Sequence, residues 1–196
     1  MSTIVTPARK PAFSPLRLDE RSVAWRVGAV ILGSLFLALS SYIEVPMVPV
    51  PVTMQTFAVT LVGALYGWRL GALTIVAWLV EGASRLPVLA GGDAGLHHFF
   101  GPTAGYLFAF PLCGALVGWL AERGWNGSRV LLAFAAMLAG NLLCLLLGTA
   151  WLAAVIGIEK AFAFGFAPFV LGGLLKSALG AATLMALRGK AGTPRP

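Results

Sequence analysis

Apolar residues run along this chain in long blocks, broken by short polar or irregular stretches. The block Val23 to Ile43 is long enough to cross a bilayer, which takes roughly 20 residues per helix. A cleaved signal peptide is the competing reading of this first block, with Ala38 and Ser40 as small residues before a cut; its length argues against that. The stretch Glu44 to Thr53 holds Pro46, Pro49 and Pro51, which forbid a regular helix. It reads as an extended loop at the membrane surface. Met54 to Trp68 predicts a short second span and Leu70 to Leu86 a third, with Arg69 at the tight turn between them. A glycine-rich loop, residues 87–102, leads to a fourth span over Thr103 to Ala121. A polar turn over residues 122–129 precedes a fifth, Val130 to Ile156. A loop with Glu159 and Lys160 then leads to a sixth, Phe169 to Leu187. The expectation is an all-α integral membrane protein of six transmembrane helices. It is organised as an N-terminal arm (1–22), one helical domain (23–187) and a tail (188–196).

Composition supports this class. The chain is 59% hydrophobic and 11% charged, with mean hydropathy +0.88. A soluble domain carries roughly 25% charged residues, so too little polar surface exists here to face water all round. The net charge of +7 does not point to nucleic acid, because the basic residues sit at span ends and form no stripe interleaved with aromatics. Cys113 and Cys144 lie within apolar runs and indicate neither a disulfide framework nor a thiolate metal site.

The same basic residues set an orientation. Arg9, Lys10, Arg17, Arg21, Arg26, Arg69, Arg123, Arg129, Arg188, Lys190 and Arg195 fall on one side of a six-span layout, and Arg85 and Lys160 on the other. By the positive-inside rule the termini are cytoplasmic, which makes this a multi-pass protein of the inner (plasma) membrane. The outer loops are the long, irregular ones, so a recognition site is expected at the outer face.

Lys176 is the most informative single residue. Counted from Pro168, it lies roughly 12 Å inward from the outer end of the last span. An amine at that depth must face the bundle interior, a wet cavity or a carboxylate. It reads either as a ligand-binding donor or as a structural or snorkelling lysine. Glu81 and Arg85, four apart, fit mutual neutralisation on one helix face better than ligand contact. Asn141 fits helix packing better than solute contact. His97 and His98 with Asp93 offer three ligand atoms, but adjacent histidines point apart on regular backbone and nothing further joins them, so no metal and no cofactor are expected. Gly-x-Ser-x-Gly and Walker-type loops are absent from the sequence. An intramembrane enzyme using Ser84 with His97 or His98 is the reading from another class, and a ligand-free scaffold subunit a third. On the first span, Ala29 with Gly33 and Ser34 with Ala38 form small-xxx-small pairs, suited to packing within the chain or to docking another membrane protein.

Four segments, in order, carry a resemblance: Pro46-x-x-Pro-Val-Pro-Val-Thr-x-Gln-Thr56, Leu86-Pro-Val-Leu-Ala-Gly-Gly92, Gly101-Pro-Thr-Ala-Gly-Tyr-Leu107, and Pro168-Phe-x-x-Gly172 followed by Lys176. Together they resemble the biotin-specific substrate-binding components of energy-coupling-factor transporters, the BioY family, over roughly residues 25–187. The resemblance implies six helices, an outward-facing pocket and capture of biotin; another vitamin-like solute is the alternative ligand. It also implies a transmembrane coupling protein and two ATPase subunits as partners, with Ala29, Gly33, Ser34 and Ala38 at the coupling contact. Ligand contacts are implied at Gly91, Gly92, Pro102, Thr103, Gly105, Tyr106 and Lys176. Two positions depart from the family pattern. Gly172-Gly173 stands where the family has Gly-Asp, removing an acceptor suited to ureido N–H groups; Glu81, Asp93 or Glu159 could supply a carboxylate instead. Ala104 stands where the family has glycine, which is expected to narrow the pocket mouth.

Overall fold

The computed structural model describes Leu18 and residues 21–191, with side chains described through Arg188. Most of the expected N-terminal arm and the end of the tail, with Arg9, Lys10, Arg17 and Arg195, lie outside the described residues. The main helices are α1 (Val23–Ser41), α2 (Gln55–Ala83), α3 (Ala104–Glu122), α4 (Val130–Ile156) and α6 (Ala167–Ala191), with a single-turn α5 (Ile158–Ala161) before the last. Among the described residues, five helical stretches are long and apolar enough to cross a membrane, the last running from Ile158 to Arg188.

The second and third expected spans form one helix with a break. Gly67 takes φ 79°, ψ 170°, a left-handed backbone that costs glycine little and other residues much. The arms on either side, 55–66 and 68–83, double back: Gly71 packs on the backbone at Gly63, and Val59 and Ile75 both lie beside Gly114. The turn is tighter than expected, centred on Gly67 rather than Arg69. Glu122 stabilises it by accepting from the Trp68 N–H at 3.1 Å, at the positive start of the second arm. Gly63 meets the backbone of Gly114 so closely that a Cβ there would strike its carbonyl. Side-chain-free contact brings α2 and α3 together along this line.

The other elements depart from expectation in three places. Glu44–Val45 (β1) pairs antiparallel with Val52–Thr53 (β2), in register Glu44↔Thr53, so the proline segment is a small hairpin in an otherwise helical chain. Glu159 and Lys160 sit on α5, not in a loop, and a π turn over Phe162–Phe166 carries the chain on into α6. Arg85 has φ 70°, so α2 ends before it and the Glu81–Arg85 helix-face pair does not form. The Glu81 carboxylate accepts instead from Ser34 Oγ on α1, at 2.7 and 2.6 Å.

That contact also bears on the expected docking face of α1. Ala29, Gly33, Ser34 and Ala38 are all buried within the chain, with Gly33 against Tyr66 and Thr74 of α2. Small residues here let α1 lie close on its own chain and leave none of the four on a free surface. Most exposed residues of α1 are large and apolar, among them Trp25, Ile31, Leu32, Leu35 and Leu39. Similar apolar side chains are exposed on α3, α4 and α6, among them Leu112, Leu131, Leu146 and Leu171. Inside, Trp78 is fully buried and donates its indole N–H to Val88 O at 2.9 Å.

The two ends of the bundle differ. At one end the Gly67 turn meets Gly118, and Gly127 meets the backbone at Leu184; Arg69, Arg123, Arg129 and Arg188 belong to this end. The other end gathers the hairpin, the glycine-rich segment and the π turn.

Candidate ligand-binding site

A cavity of about 790 Å³ opens between these irregular segments and the halves of α3, α4 and α6 that face them. Its size falls within the range of small-molecule sites. Three features of the sequence build it. Prolines hold residues 46–51 off the helix path, so the hairpin arches over the opening. Glycine-rich residues 90–101 fold into two short 3-10 turns, Ala90–Gly92 and Leu96–Phe99, as a side wall. Aromatic residues Tyr106, Phe110, Phe166 and Phe169 supply much of the apolar lining, with Tyr106 and Phe169 stacked at 6.2 Å.

Lys176 projects from α6 into this cavity, as its depth in the last span predicts. Its ammonium donates to Thr53 O, at the end of the hairpin, and to Thr56 Oγ1 at 3.2 Å. Among the described residues it pairs with no carboxylate. Two of its three N–H groups are thus engaged by neutral oxygens, and its charge is free to act on a solute. Gln55, in the same motif, also lines the cavity; its carbonyl accepts from Thr53 Oγ1 at 2.9 Å and one amide N–H donates to Ser41 Oγ at 3.1 Å. It anchors the hairpin to α1 and keeps one N–H and one lone pair uncommitted.

The other expected contacts divide. Pro102, Thr103 and Tyr106 line the cavity, whereas Gly91, Gly92 and Gly105 do not. Gly91 leaves room for the Glu44 carboxylate, Gly92 lies under the Tyr42 ring, and Gly105 packs against Trp151 of α4. Their small size seats neighbouring groups and presents no atom to the cavity. Tyr106 contributes its ring face, because its hydroxyl turns away and donates to Gly165 O at 2.7 Å. Ala104 is fully buried and away from the cavity lining, so it does not narrow the mouth.

Of the three carboxylates considered as replacements at Gly173, only Asp93 lines the cavity; Glu44 also does so, whereas Glu81 is bound to Ser34 and Glu159 lies elsewhere. The Ala94 N–H, 2.8 Å from Oδ1, holds the Asp93 carboxyl below its ordinary value, more strongly than burial raises it. Asp93 and His98 sit at the rim with His97. Ser84, at the exposed end of α2, is not among the lining residues.

Asn141 fits packing ahead of solute contact on sequence alone. Its amide N–H groups do lock α4 to itself and to α6, donating to Met137 O at 3.0 Å and Ser177 Oγ at 3.1 Å. Its Oδ1 accepts from nothing among the described residues, and Asn141 lines the cavity beside Gly173. A Cβ placed at Gly173 would lie 3.8 Å from Asn141 Cβ, an ordinary contact. The cavity wall where the resemblance leads one to expect a carboxylate therefore carries an amide oxygen.

Comparison with known proteins places these observations. The BioY family profile matches residues 14–192. A probable biotin transporter BioY of Pyrococcus horikoshii is 38% identical over 152 residues, covering 76% of this chain and 89% of that protein. The biotin transporter BioY of Thermotoga maritima is 37% identical over 163 residues, covering 81% and 94%. The crystal structure of the S-component for biotin from an ECF-type ABC transporter superposes with TM-score 0.71 at 21% identity, over 86% of this chain and 95% of that one; it shares the fold. With the helical order, the loop motifs and the cavity in place, the chain belongs to the BioY family.

Proposed function

We propose that this chain binds biotin in the cavity and serves as the substrate-binding component of an uptake system, delivering the vitamin across the plasma membrane with a separate coupling protein and two ATPase subunits. The arms of α2 then count as two passes, giving six spans in one domain (23–187). The cavity faces outward and both termini are cytoplasmic, in keeping with Arg69, Arg123, Arg129 and Arg188 at the opposite end.

The observation that carries this reading is the unpaired Lys176 amine set in an aromatic cavity of about 790 Å³. Biotin has an apolar bicyclic body and aliphatic chain, a ureido group that both donates and accepts, and a carboxylate. The aromatic wall of Tyr106, Phe110 and Phe169 takes the apolar body. Lys176 donates to the ureido carbonyl, and Asn141 Oδ1 accepts from a ureido N–H in place of the family carboxylate. Pro102 and Thr103 border the path inward. Titration of purified protein in detergent with radiolabelled biotin tests this: saturable binding is expected, and binding no tighter than millimolar removes the assignment. Competition by other vitamins identifies the ligand if biotin fails.

A further inference from the structure

The rim of the cavity carries a cluster that biotin capture leaves unused. His97 and His98 are the only histidines in the chain. On regular backbone their side chains would diverge; the 3-10 turn Leu96–Phe99 instead brings the rings together, centroids 4.0 Å apart. Asp93 reaches the same point from across the bend at Gly95, its Oδ2 3.0 Å from His98 Nε2. One ligand atom from each of the three residues lies within 4.8 Å of the others. His98 Nε2 is itself shielded from solvent, and its near neighbour is that Asp93 oxygen, met as a close charge contact without good hydrogen-bond alignment. A shielded imidazole nitrogen whose near neighbour is a poorly aligned carboxylate is under-satisfied.

We propose that Asp93, His97 and His98 form a site for a divalent transition-metal cation at the cavity rim. Two imidazole nitrogens and one carboxylate oxygen suit Zn²⁺, Ni²⁺ or Cu²⁺, and are poor matches for the all-oxygen shells of Mg²⁺ and Ca²⁺. Zn²⁺ holds such ligands at roughly 2.0–2.2 Å, so the three atoms need to draw in slightly from their present spacing. Asp93 and His97 are exposed and can do so by side-chain rotation alone. Three protein ligands leave a coordination position for water or solute. A cation there ties residue 93 to residues 97 and 98 and so fixes the side wall of the cavity. The site does not depend on what the cavity binds.

The chain's histidine count makes the test specific: any imidazole signal reports on this site. Full-length protein without an affinity tag, in detergent, is titrated with Zn²⁺ by calorimetry and separately loaded with Cu²⁺ for electron paramagnetic resonance. Saturable uptake of one Zn²⁺ is expected, with nitrogen coupling from imidazole in the Cu²⁺ spectrum. His97→Gln and His98→Gln should each weaken Zn²⁺ binding roughly tenfold or more, and the double variant should abolish it. Absence of saturable binding below millimolar Zn²⁺ overturns the proposal. So does undiminished binding by the double variant, or a Cu²⁺ spectrum of the unaltered protein without nitrogen coupling.

Discussion

The two ends of this bundle are built on opposite plans. At the closed end, helices meet backbone to backbone: Gly63 on Gly114, Gly118 on Trp68, Gly127 on Leu184. At the cavity end, prolines and glycines keep the chain out of helices, and side chains such as Lys176, Asn141 and the aromatic wall face an open volume. One end gains rigidity by leaving no space; the other gains a binding site by keeping space that polar groups can reach. Changes at the first should act on stability, and changes at the second on affinity.

The largest expected effect breaks the closed end. Gly114→Leu would drive a side chain into Ile75 and the backbone of α2. It should destabilise the fold by about 3 kcal/mol, at the upper end of overpacking costs, read as a lowered unfolding midpoint in detergent. An unchanged midpoint would show that the glycine contact is dispensable. Next, Lys176→Ala should weaken biotin binding about tenfold or more, which is about 1.4 kcal/mol, while the midpoint stays close to that of the parent. Unchanged affinity would remove the amine from the site. Gly173→Asp should act in the other direction. Its side chain has room beside Asn141, and a bond to a charged acceptor is worth about 1 kcal/mol more than one to a neutral amide oxygen. Tighter biotin binding is therefore expected, and equal or weaker binding would show that this wall does not present a ureido N–H to position 173. The smallest effect sharpens the contrast: Ser34→Ala removes a hydrogen bond to Glu81 far from the cavity lining. It should cost about 1 kcal/mol of stability with biotin affinity unaltered; a change in affinity would mean that α1 and the site are coupled.

Much of the architecture was legible in the chain. The helix Val130–Ile156 falls where its apolar run predicts, because a 27-residue block with polar flanks has one stable solution in a bilayer. Lys176 could be placed in the interior because its charge excludes lipid. The glycine contacts were less legible. Gly91, Gly92 and Gly105 belong to the motifs that carry the resemblance, yet they seat Glu44, Tyr42 and Trp151, and a motif alone does not say whether a glycine yields space to a solute or to a neighbour. Likewise, the small pairs on α1 fitted an internal or an external partner equally well.

The sequence by itself determined which segments are apolar enough to leave water, where prolines and glycines break them, and that one amine must turn inward, since each follows from the solvation of individual residues. Tertiary structure alone decided which carboxylate meets Ser34, which face of α1 is covered, that Asn141 keeps a free oxygen beside Gly173, and that two adjacent histidines converge with Asp93. Those are matters of distance between segments far apart in the chain or of local backbone angle. Composition and periodicity carry no record of either.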